Sequence, residues 1–514
     1  MKRTVLPAVI LATLSVITMG TIISASSEVK DPTTVLNYNP VDQRSEATAA
    51  VVKTIQLTPK GSTGNYRHPG VAEDSRGNRL VIFRGTNGKE YDYAYCPKGG
   101  NWSSVKPIAN GNQPGLIRSL YANLEVDSND RFHCEWEDAK GAVYASFKDG
   151  VWTTPFVIKT RARYDLTSGL TVLPDDSVVS ADCEVANKSK DIYLHRKGKN
   201  DSKFGAAFNI SRDKKAASTQ PAVAADSKGH VFVVWKSDFL HDGLEENLVI
   251  YLSEFDENFR DVNDWFMMSP DPGWSFLAQV AVNSEDKVMT LYAYSKGNQY
   301  LSRSYDPETQ KLGDMVSLEI GLCRQPWHTF FSRLDAHGKD FYAAAMDPGR
   351  IIWLLKFDET TNKWIKVAQV SNEAAEIFDM YSGYDQMLIA WNSKKEPTSV
   401  FLTTVDVDPY SKIRVKSVSN LQATCLIQER SFFQIKYLNT LSWEANPDNT
   451  SKGINILYQR VYRKTRTEDD TQWVRIAEVA GTARSYEDRY VPAGSDYVYA
   501  VTCVDDLEHE SKIF

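Results

Sequence analysis

A ten-residue pattern returns seven times along this chain, and it limits the folds the chain can adopt more than any other feature. Its clearest copy is DSKGHVFVVW, Asp226–Trp235, a tight polar turn followed by an alternating apolar strand that ends on a large side chain. The other copies begin at Asp74 (DSRGNRLVIF), Asp127 (DSNDRFHCEW), Pro174 (PDDSVVSADC), Asn283 (NSEDKVMTLY), Asp335 (DAHGKDFYAA) and Ser382 (SGYDQMLIAW). Successive starts lie 53, 47, 52, 57, 52 and 47 residues apart. A strand-and-turn repeat of about 50 residues predicts the blade of a β-propeller, because two or three strands cannot bury their own faces and must stack around an axis. Seven repeats predict an all-β fold, a seven-bladed propeller over residues 51–412.

Each repeat continues with a second strand: Val143–Phe147, Ile192–His195, Val249–Phe255, Tyr300–Tyr305, Ile352–Phe357 and Val400–Val405. An outer strand introduced by Trp102, Trp152, Trp265 or Trp364 often follows. Recurrence of these Trp residues at similar offsets assigns them to packing between blades. The last repeat lacks such a strand, whereas VVKTIQL, Val51–Leu57, is an isolated strand ahead of the first repeat. Unpaired strand edges are liabilities, so Val51–Leu57 is expected to complete the last blade.

At the N-terminus, Lys2 and Arg3 precede the largely apolar run Val5–Ile23, and Ser24, Ala25 and Ser26 follow. This is the pattern of a cleaved secretory signal, residues 1–26, with an uncleaved membrane anchor as the competing reading. Residues 27–50 lack strand periodicity and read as a linker. The protein is therefore expected to be secreted, periplasmic or at the cell surface, with no membrane span after signal cleavage. The formal net charge of −7 leaves no cation excess for phosphates, which argues against nucleic acid as a partner. Six cysteines, Cys96, Cys134, Cys183, Cys323, Cys425 and Cys503, show no metal-ligand spacing, so no metal or other cofactor is expected.

Residues 413–514 break the repeat. Leu441–Asn449 (LSWEANPDN), Ile456–Lys464 (ILYQRVYRK) and Val491–Ser511 read as strands and corners of a second domain. This segment resembles a fibronectin type III domain: Trp443 matches its core Trp, and Tyr497, after Pro492, matches its tyrosine corner. Cys425 and Cys503 fall on strands that the resemblance brings near each other, leaving open a disulfide or two buried thiols.

The repeats resemble the sialidase-like, BNR-type class in blade pattern. They keep the Asp/Ser–Gly turn of its SxDxGxTW box but lack the Thr-Trp ending, and the Arg-Ile-Pro signature of sialidases is missing. Loops before the inner strands carry Tyr66, Arg67, His68, Arg118, Arg163 and Arg324. Converging guanidinium groups would bind a carboxylate-bearing sugar. The candidate ligand-binding residues are therefore Arg67, His68, Arg118, Arg163 and Arg324. No catalytic set is singled out by spacing. The expected function is recognition of a glycan or an envelope protein without turnover. The alternative is a carbohydrate-active enzyme on acidic glycans, either a sialidase-like hydrolase or a polysaccharide lyase using Tyr66 and His68 beside Arg67.

Overall fold

The computed structural model describes residues 52–514, except for 87–89, 109–121, 138–140, 161–167, 187–188, 213–215, 242–244, 272, 324–330, 408–414, 431–434, 452–453, 468–471, 493–495, 506–509 and 512–514. The signal segment and linker expected from the sequence lie outside these residues. Among the described residues, the chain is nearly all β with one short helix, Pro447–Ser451. No helix there is long and apolar enough to cross a membrane.

Residues 52–406 form seven antiparallel sheets, six of four strands and one of five, in a propeller-like arrangement. The strands that open the sheets are Arg67–Glu73, Asn123–Val126, Gly169–Val172, Ala217–Ala225, Ser275–Val282, Ser332–His337 and Ala375–Ser382. Each of these inner strands contacts its counterparts on both sides, and Arg67–Glu73 of the first sheet meets Ala375–Ser382 of the last. The row is thus closed. Val52–Gln56 is the outermost strand of the seventh sheet, pairing Val52 with Val405 and Gln56 with Phe401. This is the edge closure that its isolated position in the sequence implies.

The repeat motif is the turn between the first and second strands of a sheet. Asp226 Oδ1 accepts the backbone N–H groups of Lys228 at 2.9 Å and His230 at 2.7 Å. Asp74 does the same for Arg76 and Asn78, and Asp127 for Asn129 and Arg131. The fourth residue of the turn must take a positive φ, hence Gly77 at 79° and Gly229 at 90°. Asp130, Asp176 and Asp286 hold the same place at φ of 61°, 65° and 60°, which short polar side chains tolerate. Those aspartates then reach across to the preceding sheet. Asp130 accepts the N–H of Ser75, Asp176 that of Ser128, and Asp286 that of Ser227.

One register differs from the sequence reading. In the third repeat, Leu173 rather than Pro174 stands where Asp226 stands, because Leu173 N–H bonds Ser177 O as Asp226 N–H bonds His230 O. Pro174 has no N–H to give.

Apolar side chains fill most seams between sheets. Val231, Val233 and Trp235 of the fourth sheet pack on Val179, Ala181 and Cys183 of the third. Trp152 and Trp364 pack between sheets as expected, Trp152 meeting Tyr93 of the first sheet with ring centroids 5.4 Å apart, whereas Trp265 packs within its own sheet. Trp364 of the sixth sheet is buried, and its indole N–H bonds Ser302 Oγ of the fifth at 2.8 Å. Trp265 meets Trp235 edge-on with ring centroids 5.1 Å apart.

The C-terminal segment makes two three-stranded sheets, ordered Ser419–Arg430, Ile435–Glu444, Ser485–Pro492 and Val474–Ala480, Ile456–Thr465, Tyr497–Asp505. Trp443 is in the small core between them, its indole N–H on Gln459 Oε1 and Ala483 O. The hydroxyl that ties one sheet to the other is that of Tyr499, donated to Asp488 Oδ2 at 2.7 Å. Tyr497 instead lies under the Arg463 guanidinium, 4.3 Å from its ring centre. All six cysteines are free thiols; Cys425 is exposed and Cys503 buried, so no disulfide joins them.

Candidate functional site: the central cavity and the seam between the second and third sheets

The inner strands enclose a cavity of about 510 Å³, within the range of small-molecule and oligosaccharide sites. Its wall includes Glu73, Asn123, Thr171, Gln279, Arg333 and Asp379. The Arg333 guanidinium is committed to structure. It lies 2.9 Å from Asp379 Oδ1 and donates to Gln279 Oε1 at 2.9 Å, while Asp379 Oδ2 accepts Val71 N–H. These contacts tie the inner strands of the fifth, sixth, seventh and first sheets. Burial pushes the Asp379 carboxyl up to about 6, although Arg333 pulls against it.

One seam is unlike the others. In the second sheet, Phe132, Cys134 and Trp136 pack toward the first, so strand alternation turns His133 and Glu135 toward the third sheet. In the third sheet, Val179, Ala181 and Cys183 pack toward the fourth, which turns Ser180 and Asp182 back toward the second. Glu135 and Asp182 are both completely buried. The apolar fill here is small: Tyr144, Leu170 and Val178, with Phe156, Ile158, Val172 and Phe204 at its margin.

Around the carboxyls stand groups that can move protons. Tyr144 Oη lies 2.5 Å from His133 Nδ1, and His133 Nε2 faces Asp127 Oδ2 at 3.3 Å. Burial holds His133 below its ordinary range, so the ring is neutral. Tyr144 O–H then donates to Nδ1, leaving Nε2–H toward Asp127. Burial works against the Asp127 carboxylate, but His133 and the N–H groups of Arg131 and Asn129 outweigh it and keep its pKa low. Burial raises the Tyr144 hydroxyl well above its ordinary value. In the third sheet, His195 Nε2 lies 3.1 Å from Glu184 Oε1. Asn123 closes the cavity side of the seam, its amide donating to Ser168 O and Oγ.

Of the five candidate ligand-binding residues, two are described. Arg67 donates to Glu376 Oε1 at 3.1 Å and Glu396 Oε1 at 2.9 Å, and is one-quarter exposed. Asn392 Nδ2 holds the other oxygen of Glu376. The Arg67 charge is thus balanced by two carboxylates of the seventh sheet. His68 is buried at a φ of 57°, and Tyr66 is buried edge-on against Phe83. Arg118, Arg163 and Arg324 lie outside the described residues.

Glu135 and Asp182 were missed because each repeat was read alone. Superposing the repeats puts Glu135 where other sheets carry Ile82, Val234 and Leu291. With the third repeat counted from Leu173, Asp182 stands where others carry Phe83, Trp136 and Trp235.

No protein-family model matches the chain, and no curated protein matches it. Among solved structures, an ulvan lyase of polysaccharide lyase family 25 bound to -[GlcA(1-4)Rha3S]- superposes with a TM-score of 0.49 at 10% identity, over 70% of this chain and 97% of that one. An α-L-arabinofuranosidase from Fusarium graminearum with an iminosugar inhibitor gives 0.43 at 8%, over 70% and 97%. The WD40 repeats of RRP9 give 0.45 at 11%, over 68% and 97%. Likenesses this distant say nothing of the chemistry of this chain.

Proposed function

We propose that this is an exported carbohydrate-active enzyme, a seven-bladed propeller followed by a fibronectin type III-like domain, that cleaves a glycan at the seam between its second and third blades. One observation carries the reading: Glu135 and Asp182 replace apolar and aromatic repeat positions in the same seam, beside the Tyr144–His133–Asp127 line. A carboxyl pair supplies an acid and a base or nucleophile for glycoside hydrolysis, and a Tyr–His pair supplies the proton transfers of elimination from a uronic acid. For an acidic glycan, Arg118, Arg163 and Arg324 are the carboxylate-binding residues; Arg67 is less suited, being balanced by Glu376 and Glu396.

The test is incubation of the purified protein with neutral, uronic-acid and sialic-acid polysaccharides, following new reducing ends and, for elimination, the ultraviolet absorbance of the unsaturated product. Cleavage that is lost in Glu135→Gln and Asp182→Asn, with unchanged circular dichroism and Tm, is the expected result. Cleavage that survives both substitutions sinks the assignment of the site. Recognition without turnover is favoured by the full burial of both carboxyls. Glycan binding by calorimetry, with no cleavage of any substrate, would establish that reading instead.

A further inference from the structure

We infer that the strand Ser419–Arg430 is a dimer interface that pairs antiparallel with the same strand of a second copy of this chain. Among the described residues it is the edge of its sheet, hydrogen-bonded on one side to Ile435–Glu444. Its regular part is bounded by register shifts between Ser419 and Gln422 and between Ile427 and Glu429. Between them, Gln422–Ile427 pairs without interruption, and every one of these residues is exposed. Leu426 is 61% and Ile427 56% exposed, and strand alternation puts them on opposite faces. The segment QATCLI holds no charge and no proline. Natural edge strands carry such residues to prevent pairing. This strand is open to addition of another.

The self-complementarity of the segment selects a second copy as the occupant. Two antiparallel copies are related by a two-fold axis perpendicular to the sheet, so residues facing each other lie on the same face. Centring that axis on Cys425 sets Cys425 against itself, Thr424 against Leu426 and Ala423 against Ile427. Each exposed branched side chain then covers a small one of the other copy. Like charges directly opposite destabilise a strand pair, and here no charge meets its like. The chain carries a net charge of −7, so a charge-free segment is where two copies approach with least repulsion. Such a dimer carries two propellers, which would raise avidity for a polymeric ligand. The pairing itself does not depend on the glycan assignment.

Analytical ultracentrifugation of the full chain across the micromolar range tests this, together with a short bis-maleimide reagent that joins thiols in close contact. The expected result is a reversible monomer–dimer equilibrium and a cross-linked dimer that Cys425→Ser abolishes, Cys96 being the other thiol that is not buried. Leu426→Lys, and separately Thr424→Lys, place a charge on an already exposed position without touching the core. Each should weaken the dimer at least about tenfold, a change of about 1.4 kcal/mol. A chain that stays monomeric throughout, leaving the strand for a different partner, overturns the inference. So does a dimer that ignores both lysine variants and gives no Cys425 cross-link.

Discussion

The seam between the third and fourth sheets and the seam between the second and third perform the same mechanical task with different materials. The first is dry: Val231, Val233 and Trp235 interlock with Val179, Ala181, Cys183 and Ile192. The second holds Glu135, Asp182, His133 and Tyr144 over a small apolar base. A ring needs all its seams to hold, so the stability of the whole rests on the dry ones, and a polar seam persists only where its neighbours carry it. The difference shows where the chain can place buried polar groups without losing the fold.

The largest effect expected from breaking this contrast is at Trp235, which is fully buried. Trp235→Ala should cost about 3–5 kcal/mol, read as a lowered midpoint of urea unfolding, whereas Glu135→Gln, which keeps the size and shape of the side chain, should change it by less than about 1.5 kcal/mol. Equal losses would show that the polar seam is a structural element like the other. Arg333→Ala is expected to follow closely, about 3–5 kcal/mol, since it strands the Asp379 carboxylate inside the ring. Replacing both by leucine should recover most of that loss. Recovery that fails would mean the Gln279 and Val71 contacts matter more than the charge pair.

Acidity offers a gentler probe. Burial raises Asp74, Asp92 and Asp379 to about 6 from 3.8, so each binds its proton more tightly in the folded chain. Stability from these groups is therefore greatest below about pH 4 and falls as pH rises from about 4 to about 6, by roughly 1–3 kcal/mol for the fully buried Asp379. Asp127, Asp176 and Glu510 are lowered despite their burial, chiefly by hydrogen bonds, and their contribution is lost as pH falls below about 4. Tm should thus be higher near pH 5 than near pH 7; a monotonic rise from pH 5 to 7 contradicts it. The smallest effect is expected at Ser227→Ala, which removes the 2.7 Å hydroxyl contact to Asp286 but keeps the backbone one. It should cost about 0.5–1.5 kcal/mol by the same unfolding assay.

The sheets were legible because turn chemistry is local: an aspartate that caps its own turn, a residue that accepts positive φ, and an alternating strand leave a mark in ten residues. The Val52–Gln56 closure was legible for a related reason, as a lone strand facing a repeat one strand short. The third register was not, since the proline that looked like the start of a motif sits one place past the true turn donor, Leu173. The tyrosine hydroxyl that links the two C-terminal sheets was not legible: the resemblance drew attention to Tyr497 as a corner residue, and it is Tyr499, two residues on and on the same face, that reaches Asp488. The polar seam depends on residues about 50 positions apart that face each other only once neighbouring sheets stack, so no local window displays it.

The closing strand also dictates when the molecule can become itself. Thr54 and Thr403 share a hydrogen bond although 349 residues separate them. During synthesis, Val52–Gln56 emerges first and waits, unpaired, until almost the entire ring has followed. Contacts of such long range form late and slowly, because loop closure must come before any reward. Sheets can gather one after another as the chain is made, but the ring cannot close until Val52–Gln56 meets Val400–Asp406. A chain that stops before Val400 leaves Val52–Gln56 and the last sheet without each other, with two open strand edges.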